Sequence, residues 1–349
     1  MNARSMSLWA ALALLLGSAG ASAQLKSASV RPSESFETLQ KLAASGDASV
    51  QFDLGLQYAM GFIVPKNCAL AMTWYRKAAD QGNAAAQTEL GATYAWKDIW
   101  SCNSALGIPR DNGEAAVWFR KAAEQGREDA QCFLGELYND GDGLPRDYVQ
   151  AALWFRKAAE QGSASAQWRL GWLYESGQGI PKDYTQAAVW YRKAAEQGFT
   201  EGQFYLGGLY HDGEGVPQDD AQAAFWWRKA AQVGLAAAQN NLGELYDYGH
   251  GVPQDYTQAA TLYRKAAEQS DTAAQYNLGR AYFTGHGVPK DYGQAYFWLD
   301  IAATGKIEGS EQKDVEHDRD LAASHLSQAN LTQLQKRARK WFEDHPVRP

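Results

Sequence analysis

The residues that could do chemistry in this chain are few and widely spaced. Ser310 and Lys313 form an S-x-x-K pattern, in which a lysine one helical turn away could activate the serine for acyl transfer. The S-D-N and K-T-G motifs that complete such a site are absent, so we interpret the S-x-x-K pattern as a chance match. His250 and His286 occupy the same position of a repeated G-H-G-V-P turn, which favours turn residues over ligands.

Other catalytic and metal-binding signatures are missing. The chain has no H-E-x-x-H, no nucleophile elbow and no glycine-rich phosphate loop. It has no C-x-x-C and no cysteine–histidine cluster at zinc spacing. We therefore expect a non-enzymatic protein with no metal and no cofactor.

Composition and charge indicate a globular protein and exclude some partners. Of 349 residues, 45% are hydrophobic, and the formal net charge is −7. An acidic balance without a block of basic residues gives no electrostatic reason to bind nucleic acid or an anionic membrane. We expect neither partner.

The N-terminus is typical of an exported protein. Arg4 precedes a short apolar run, and the small residues Ala21 and Ala23 suit signal-peptidase cleavage before Gln24. The run is short for a membrane span, and no later stretch reaches that length. Residues 1–23 are thus predicted to be a signal peptide and 24–34 a linker. The mature protein is expected to be periplasmic or secreted, without membrane insertion.

One phrase recurs through the body of the chain. "GVPQDYTQAA" at 251–260 has four close copies that begin at 143, 179, 215 and 287, each 36 residues after the last. An L-G-x-x-Y motif alternates with it, with leucines at 54, 90, 134, 170, 206, 242 and 278. An "AAxWYRKAAEQG" motif follows each one, at 71–82, 115–126, 151–162, 187–198, 223–234, 259–270 and, degraded, 295–305. Repetition at this period predicts stacked supersecondary units.

Local chemistry predicts that both motifs are helical. Alanine, leucine, lysine, arginine, glutamate and glutamine dominate them, and all are good helix formers. Asp255 before the second motif and Gln258 three residues later predict a capping box, with Gly162 and Gly198 as left-handed helix ends elsewhere. Short helix pairs bury their apolar faces only by stacking. We expect the L-G-x-x-Y glycine to admit a neighbouring backbone and the Trp–Tyr pairs to fill the space between layers.

The repeating pattern "LGxxY…GxGVPxDxxQAAxWYRKAAEQG" resembles the Sel1-like repeat (SLR) family, a relative of the tetratricopeptide repeat. The resemblance covers about 46–305. It implies an all-α fold, a right-handed α-solenoid superhelix of antiparallel helix pairs, whose L-G-x-x-Y helices line the concave side. It assigns no catalytic residue. Members proposed to bind or hydrolyse β-lactams carry a cysteine pair in every repeat, and this chain does not.

The resemblance also organises the chain into regions. Residues 35–305 are predicted to form a solenoid of about seven repeats of 36 residues, opened by an N-terminal half-repeat at 35–45. Residues 306–349 are predicted to be a C-terminal helical cap with a charged amphipathic helix. An eight-residue insertion between Leu90 and Leu134 carries Cys102. Because successive turns stack side by side in such solenoids, we expect a Cys68–Cys102 disulfide, with Cys132 left free.

The candidate binding surface lies opposite the core leucine on the first helix of each repeat. We call the positions −2, +2, +5 and +6 from that leucine the variable face, since these residues change while the core repeats. Its candidate partner-binding residues are Trp168, Trp172, Phe204, Glu136, Asp140, Glu175, His211, Asp212, Glu244, Asp247, Tyr248, Tyr276, Arg280 and Phe283. Aromatic rings beside carboxylates are typical of protein-binding grooves, although neighbouring first helices could also pack these rings together.

Three function classes follow. The leading one is an exported scaffold or adaptor that binds a protein or peptide on the concave face. A binder of cell-wall glycan or peptidoglycan, with Trp168 and Trp172 as stacking platforms, is the first alternative. A hydrolase acting on β-lactams or cell-wall material is the second.

Overall fold

The computed structural model describes residues 32–61, 63–95, 106–305 and 310–345, and these contain seventeen α-helices and no strand. The predicted signal peptide and Cys102 lie outside the described residues. The chain divides into two compact units. Unit 1 comprises residues 1–173 and 177–181, and unit 2 comprises residues 174–176 and 182–349.

Unit 1 is a stack of helices joined by short turns. Its helices are α1 (Pro32–Ala44), α2 (Ala48–Met60), α3 (Cys68–Asp80), α4 (Ala84–Ala95), α5 (Asn112–Glu124), α6 (Glu128–Asp140), α7 (Tyr148–Gln161) and most of α8 (Ala164–Ser176). Consecutive helices pack against each other as pairs. The even-numbered first helices carry L-G-x-x-Y, and the odd-numbered second helices from α3 onward carry the tryptophan motif.

Unit 2 continues the same alternation from the last residues of α8. Its helices are α9 (Tyr184–Glu196), α10 (Thr200–Asp212), α11 (Asp220–Gln232), α12 (Ala236–Tyr248), α13 (Tyr256–Ala267), α14 (Thr272–Thr284), α15 (Tyr292–Thr304), α16 (Ser310–Ala323) and α17 (Gln328–Asp344). The prediction of an all-α fold built from helix pairs is therefore confirmed.

An aspartate starts each second helix from α5 onward, but only half of the predicted capping box forms. Asp219 accepts hydrogen bonds from the backbone N–H groups of Ala221 and Gln222. The reciprocal bond from the N3 glutamine was predicted wrongly. The backbone N–H of Asp219 donates instead to the carbonyl oxygen of Tyr210, 2.8 Å away, in the preceding first helix. The tyrosine carbonyl thus takes the position that the glutamine would fill.

Glycines end the helices as predicted. Gly162 and Gly198 have φ of 112° and 86°, in the left-handed region that favours glycine. The turn before each second helix is more tightly constrained. A Cβ at Gly215 would lie 2.2 Å from the carbonyl carbon of Tyr184, the first residue of α9, so this turn lies in direct backbone contact with the start of the preceding second helix.

The core is built from the motif residues, with one correction to the glycine. Leu206 of L-G-x-x-Y is fully buried, as are Ala223 and Ala230 of the second motif. We predicted that the adjacent glycine admits a backbone, but it mainly admits a ring. A Cβ at Gly207 would lie 2.6 Å from Cδ1 of Trp227, because the indole edge packs directly on the glycine.

Both ends of the solenoid differ in detail from the sequence prediction. Helix α1 begins at Pro32, so the last three residues of the predicted linker are helical. The C-terminal cap contains two helices, and α16 has no counterpart in the prediction. Helix α17 packs on α15, where Leu334 and Ala338 join the buried cluster of Phe297 and Trp298.

Candidate functional site

The structure places all fourteen candidate residues on first helices, and none of them is buried. Asp140, Asp212, Tyr248 and Arg280 are exposed. The other ten, which are half-buried, are Trp168, Trp172, Phe204, Glu136, Glu175, His211, Glu244, Asp247, Tyr276 and Phe283. The variable face is thus reachable from solvent along both units, each considered by itself.

Several candidate carboxylates already have partners within the protein. In unit 1, Glu136 forms a salt bridge of 2.8 Å with Arg169. In unit 2, Glu175 accepts a hydrogen bond from the hydroxyl of Tyr191. Asp247 lies 3.5 Å from the hydroxyl of Tyr263, which occupies the same motif position. These carboxylates therefore have polar contacts within the protein, in addition to any contact that they make with a partner.

Two more candidate residues, Glu244 and His211, have polar partners within unit 2. Glu244 accepts from the side-chain amides of Asn240 and Asn277, each at 3.0 Å. His211 Nδ1 lies 2.6 Å from a carboxylate oxygen of Asp220 in the next second helix. Asn277 and Asp220 were not predicted as site residues, since neither lies on the variable face.

The C-terminal part of the variable face contacts the cap. The hydroxyl of Tyr276 donates to Asp318 of α16 at 3.1 Å, and Arg280 lies 4.0 Å from the same carboxylate. The ring of Phe283 lies 6.2 Å from the ring of His325. Tyr276, Arg280 and Phe283 therefore hold α16 against α14, and we assign them to the cap contact.

Unit 1 presents a cleft on its variable face. Trp168 and Trp172, one turn apart on α8, line it together with Arg169, Asn139 and Phe155. Its volume is about 180 Å³. The guanidinium of Arg169 lies 5.1 Å from the centre of the Trp168 ring and 5.8 Å from that of Phe155. Aromatic rings with an arginine held against them are common at the centres of protein interfaces.

Unit 2 presents a second cleft of about 290 Å³. Its lining residues are Glu175, Phe204, Tyr205, Gly208, Leu209, His211, Asp212, Trp227 and Asn241. Trp227 donates its indole N–H to the carbonyl oxygen of Phe204 at 3.0 Å, and its ring lies 5.5 Å from that of His211. Tyr205 and Trp227 were not predicted as site residues. The sequence signal for Trp227 was its place in the second motif, from which its ring packs on Gly207 of L-G-x-x-Y.

Burial shifts the pKa of two candidate carboxylates upward. The pKa of Glu136 is raised mainly by burial, and Asp140 adds to the shift while Arg169 opposes it. The pKa of Glu175 is raised first by burial and further by Glu214 and Asp212, against the hydrogen bond from Tyr191. A cation close to either carboxylate would oppose these shifts.

The remaining residues singled out for chemistry do not converge. Cys132 is a free buried thiol whose pKa is raised to about 12, mainly by burial. His250 and His286 lie in separate turns, and His286 stacks on Tyr256 at 4.3 Å. Among the described residues, no group of three or more histidine, cysteine, aspartate or glutamate side chains could hold a metal ion. No helix in the described part of the chain is long and apolar enough to cross a membrane.

Repeated helix pairs with a constant core and a variable face define an all-α solenoid repeat protein. The Sel1 repeat model matches residues 48–83, 84–126, 128–163, 164–199, 200–235, 236–271 and 272–306. The chain therefore belongs to the Sel1 repeat family, as the motif resemblance predicted.

Two solved structures are similar to this chain. A Sel1 repeat protein from Oxalobacter formigenes is 33% identical, with 82% of this chain and 81% of that chain covered and a TM-score of 0.60. A protective antigen present in uropathogenic Escherichia coli strains, described as displaying an SLR fold, is 32% identical. That match covers 89% of this chain and 79% of that one, with a TM-score of 0.49. No curated protein matches the chain.

Proposed function

We propose that this protein is an exported, non-enzymatic scaffold that binds a protein or peptide partner through the variable face of its first helices. The observation that carries the proposal is the unit 1 cleft, in which Trp168 and Trp172 stay half-exposed beside Arg169. Membership of the Sel1 repeat family supports a scaffold role, because such solenoids present extended binding surfaces.

The positions of the other tryptophans support this choice of surface. Trp118, Trp190 and Trp226 of the second motif are at least nine-tenths buried, and Trp227 fills the space over Gly207. The repeat therefore has its own set of packing tryptophans. At the position of Trp168 other copies carry phenylalanine, tyrosine, threonine, cysteine or asparagine, and at that of Trp172 leucine, alanine, glutamate, glycine or arginine, so the fold does not require indole rings there.

Charge indicates the chemistry of the partner. The chain has 40 acidic against 33 basic side chains, and Asp140 and Asp212 are exposed on the variable face. A partner should therefore present apolar anchors flanked by lysine or arginine. Salt should then slow association more than it speeds dissociation.

Photo-crosslinking in the exported compartment tests the binding surface. A photo-crosslinking amino acid at position 172 is compared with one at position 153, where Leu153 is half-exposed on second helix α7. We expect a discrete protein adduct from position 172 only, and purified partner should bind the unsubstituted chain. Equal adducts from both positions contradict the proposal.

Two further measurements separate the alternatives. Retention on isolated cell wall that depends on Trp172, without any protein adduct, would replace the proposal with a glycan-binding function. Turnover of a β-lactam or of peptidoglycan by the purified protein would contradict the non-enzymatic part.

Export is tested separately, by N-terminal mass spectrometry of the mature protein. We expect a chain that begins at Gln24, with its N-terminal glutamine free or cyclised. Recovery of the intact chain from Met1 in the cytoplasm would contradict export. It would not bear on the proposed binding surface.

A further inference from the structure

Two adjacent glycines of α10 have opposite surroundings. A Cβ at Gly207 would lie 2.6 Å from the Trp227 ring, so the core excludes any side chain there. A Cβ at Gly208 would meet no atom of the protein within 4 Å. Gly208 nevertheless lies inside a helix, where glycine is the least favourable residue apart from proline. Packing within the protein gives no reason for this glycine.

Other copies of the repeat tolerate large side chains at the same place. The residues at position +2 of the other six first helices are Leu56, Ala92, Glu136, Trp172, Glu244 and Arg280. The helix geometry therefore accepts a side chain at position +2. Absence of one at 208 leaves the backbone of α10 open on the variable face, where glycine permits close approach by another molecule.

The open backbone forms the floor of the unit 2 cleft. Phe204 and Tyr205 lie one turn before Gly208 on the same side of α10, and His211 and Asp212 lie one turn after it. These four side chains stand around the floor, and Glu175 of α8 lines the same cleft. Tyr205 is held in place by stacking on Tyr191, with ring centres 5.4 Å apart.

The charges around the floor are mostly negative. Glu175 and Asp212 both line the cleft. Burial raises the pKa of Glu175 first and Glu214 and Asp212 raise it further, whereas the hydrogen bond from Tyr191 and the ammonium group of Lys182 lower it. Aromatic faces beside a carboxylate attract a cation on an aliphatic stem.

We infer that the cleft over Gly208 seats one lysine or arginine side chain of the partner, with its stem on the open backbone between the rings and its charged end at Glu175 and Asp212. This inference rests on the proposed function and specifies the chemistry that the partner presents to unit 2. The missing side chain at 208 leaves room for the stem.

A titration with small cations tests the cleft without knowledge of the partner. n-Butylammonium and n-propylguanidinium reproduce the two side chains, and 1-pentanol has a similar stem without charge. We expect saturable NMR shift changes at the backbone amides of 204–212 for the cations, with millimolar dissociation constants, and none for the alcohol. Gly208→Leu should remove these changes by filling the floor, and Glu175→Gln should weaken cation binding several-fold.

Thermal unfolding of the two glycine variants supplies the matched control. Gly207→Ala should lower the melting temperature because its methyl group meets Trp227. Gly208→Ala should keep or raise the melting temperature, since alanine favours helix and meets nothing, yet should weaken cation binding. A Gly208→Ala variant that melts earlier would overturn the inference, because the glycine would then serve the fold.

The inference is also overturned if the alcohol binds as well as the cations, if no saturable shift occurs, or if Gly208→Leu binds the cations unchanged. Each of these results concerns unit 2 alone. The crosslinking result at position 172 is independent of them, so failure of the cleft assignment and failure of the proposed function give different outcomes.

Discussion

A buried glutamine recurs in each first helix, and in several of them its side chain bonds to the segments on both sides. Gln239 is the example in unit 2: its side-chain N–H donates to the carbonyl oxygen of Ala231 at 3.1 Å, and its oxygen accepts from Gln269 at 2.9 Å. Gln51 and Gln131 repeat the arrangement in unit 1. These amides are buried, so water cannot supply their hydrogen bonds. Each bond within the protein therefore satisfies a polar group that would otherwise lack a partner.

We expect Gln239→Leu to lower the free energy of unfolding by about 1–3 kcal/mol, because it removes the buried hydrogen bond to the carbonyl of Ala231 and the bond from Gln269. Urea denaturation measures the change. Gln232→Leu, at an exposed position at the end of α11, is the control and should change stability little. Equal losses in the two variants would show that the hydrogen bonds of Gln239 contribute nothing specific.

The raised pKa of Glu175 makes stability depend on pH in a defined direction. The folded state binds the proton more tightly than the unfolded state, so stability falls as pH rises from the unfolded pKa, about 4.3, through the raised folded pKa. Glu175→Gln removes this titration. The melting temperature of the variant relative to the native chain should therefore increase across that interval and stay constant above it.

An exposed carboxylate is the control for this pH dependence. Glu196→Gln on α9 is measured over the same interval, since Glu196 is exposed at the end of its helix. If the Glu175→Gln difference instead shrinks as pH rises, the carboxylate is stabilised in its charged form and the assigned cause is wrong.

At the scale of the helix, aspartate caps decide where second helices begin. Asp219 accepts two backbone N–H groups, so Asp219→Ala should lower the free energy of unfolding by about 1 kcal/mol. Ser163 also occupies an N-cap position, yet its side chain makes no capping hydrogen bond. Ser163→Ala should therefore change stability little in the same denaturation experiment. Equal losses would contradict the assignment of the cap to the aspartate side chain.

Helix positions could be predicted from the sequence because the signals are local. Asp219 and the glycines at 162 and 198 lie within a few residues of the ends they define. The missed half of the capping box depends on the carbonyl of Tyr210, which reaches Asp219 only when two helices pack. Periodicity shows which side of α10 faces the core, and it does not show that a Trp227 ring rather than a backbone contacts Gly207.

The pairing of site residues could not be predicted for the same reason. Position on the helical wheel identified Glu136, Glu175 and His211 as solvent-facing, and the structure agrees that none is buried. Their partners come from other helices and depend on side-chain rotamers. Arg169 lies 33 residues after Glu136, for example, at a position that the wheel analysis did not include.

At the scale of the whole molecule, the C-terminal cap protects the last repeat. Phe297 is 6% exposed under α17, whereas Phe225 at the same motif position is 44% exposed. Repeat proteins are stabilised by contacts between neighbouring units. Leu334→Asp should therefore detach α17 and increase amide hydrogen exchange in α15, with no change in α5. An equal increase in both helices would contradict this local role for the cap.

The central claim is that the variable face binds the partner while the tryptophans of the second motif build the fold. The most direct test measures partner affinity and melting temperature together for Trp172→Ala and Trp118→Ala. We expect Trp172→Ala to weaken binding by at least about 1–2 kcal/mol with its melting temperature kept. Trp118, which is 5% exposed, should instead contribute about 3–5 kcal/mol to stability. A Trp172→Ala variant that melts earlier and binds with unchanged affinity would contradict the account.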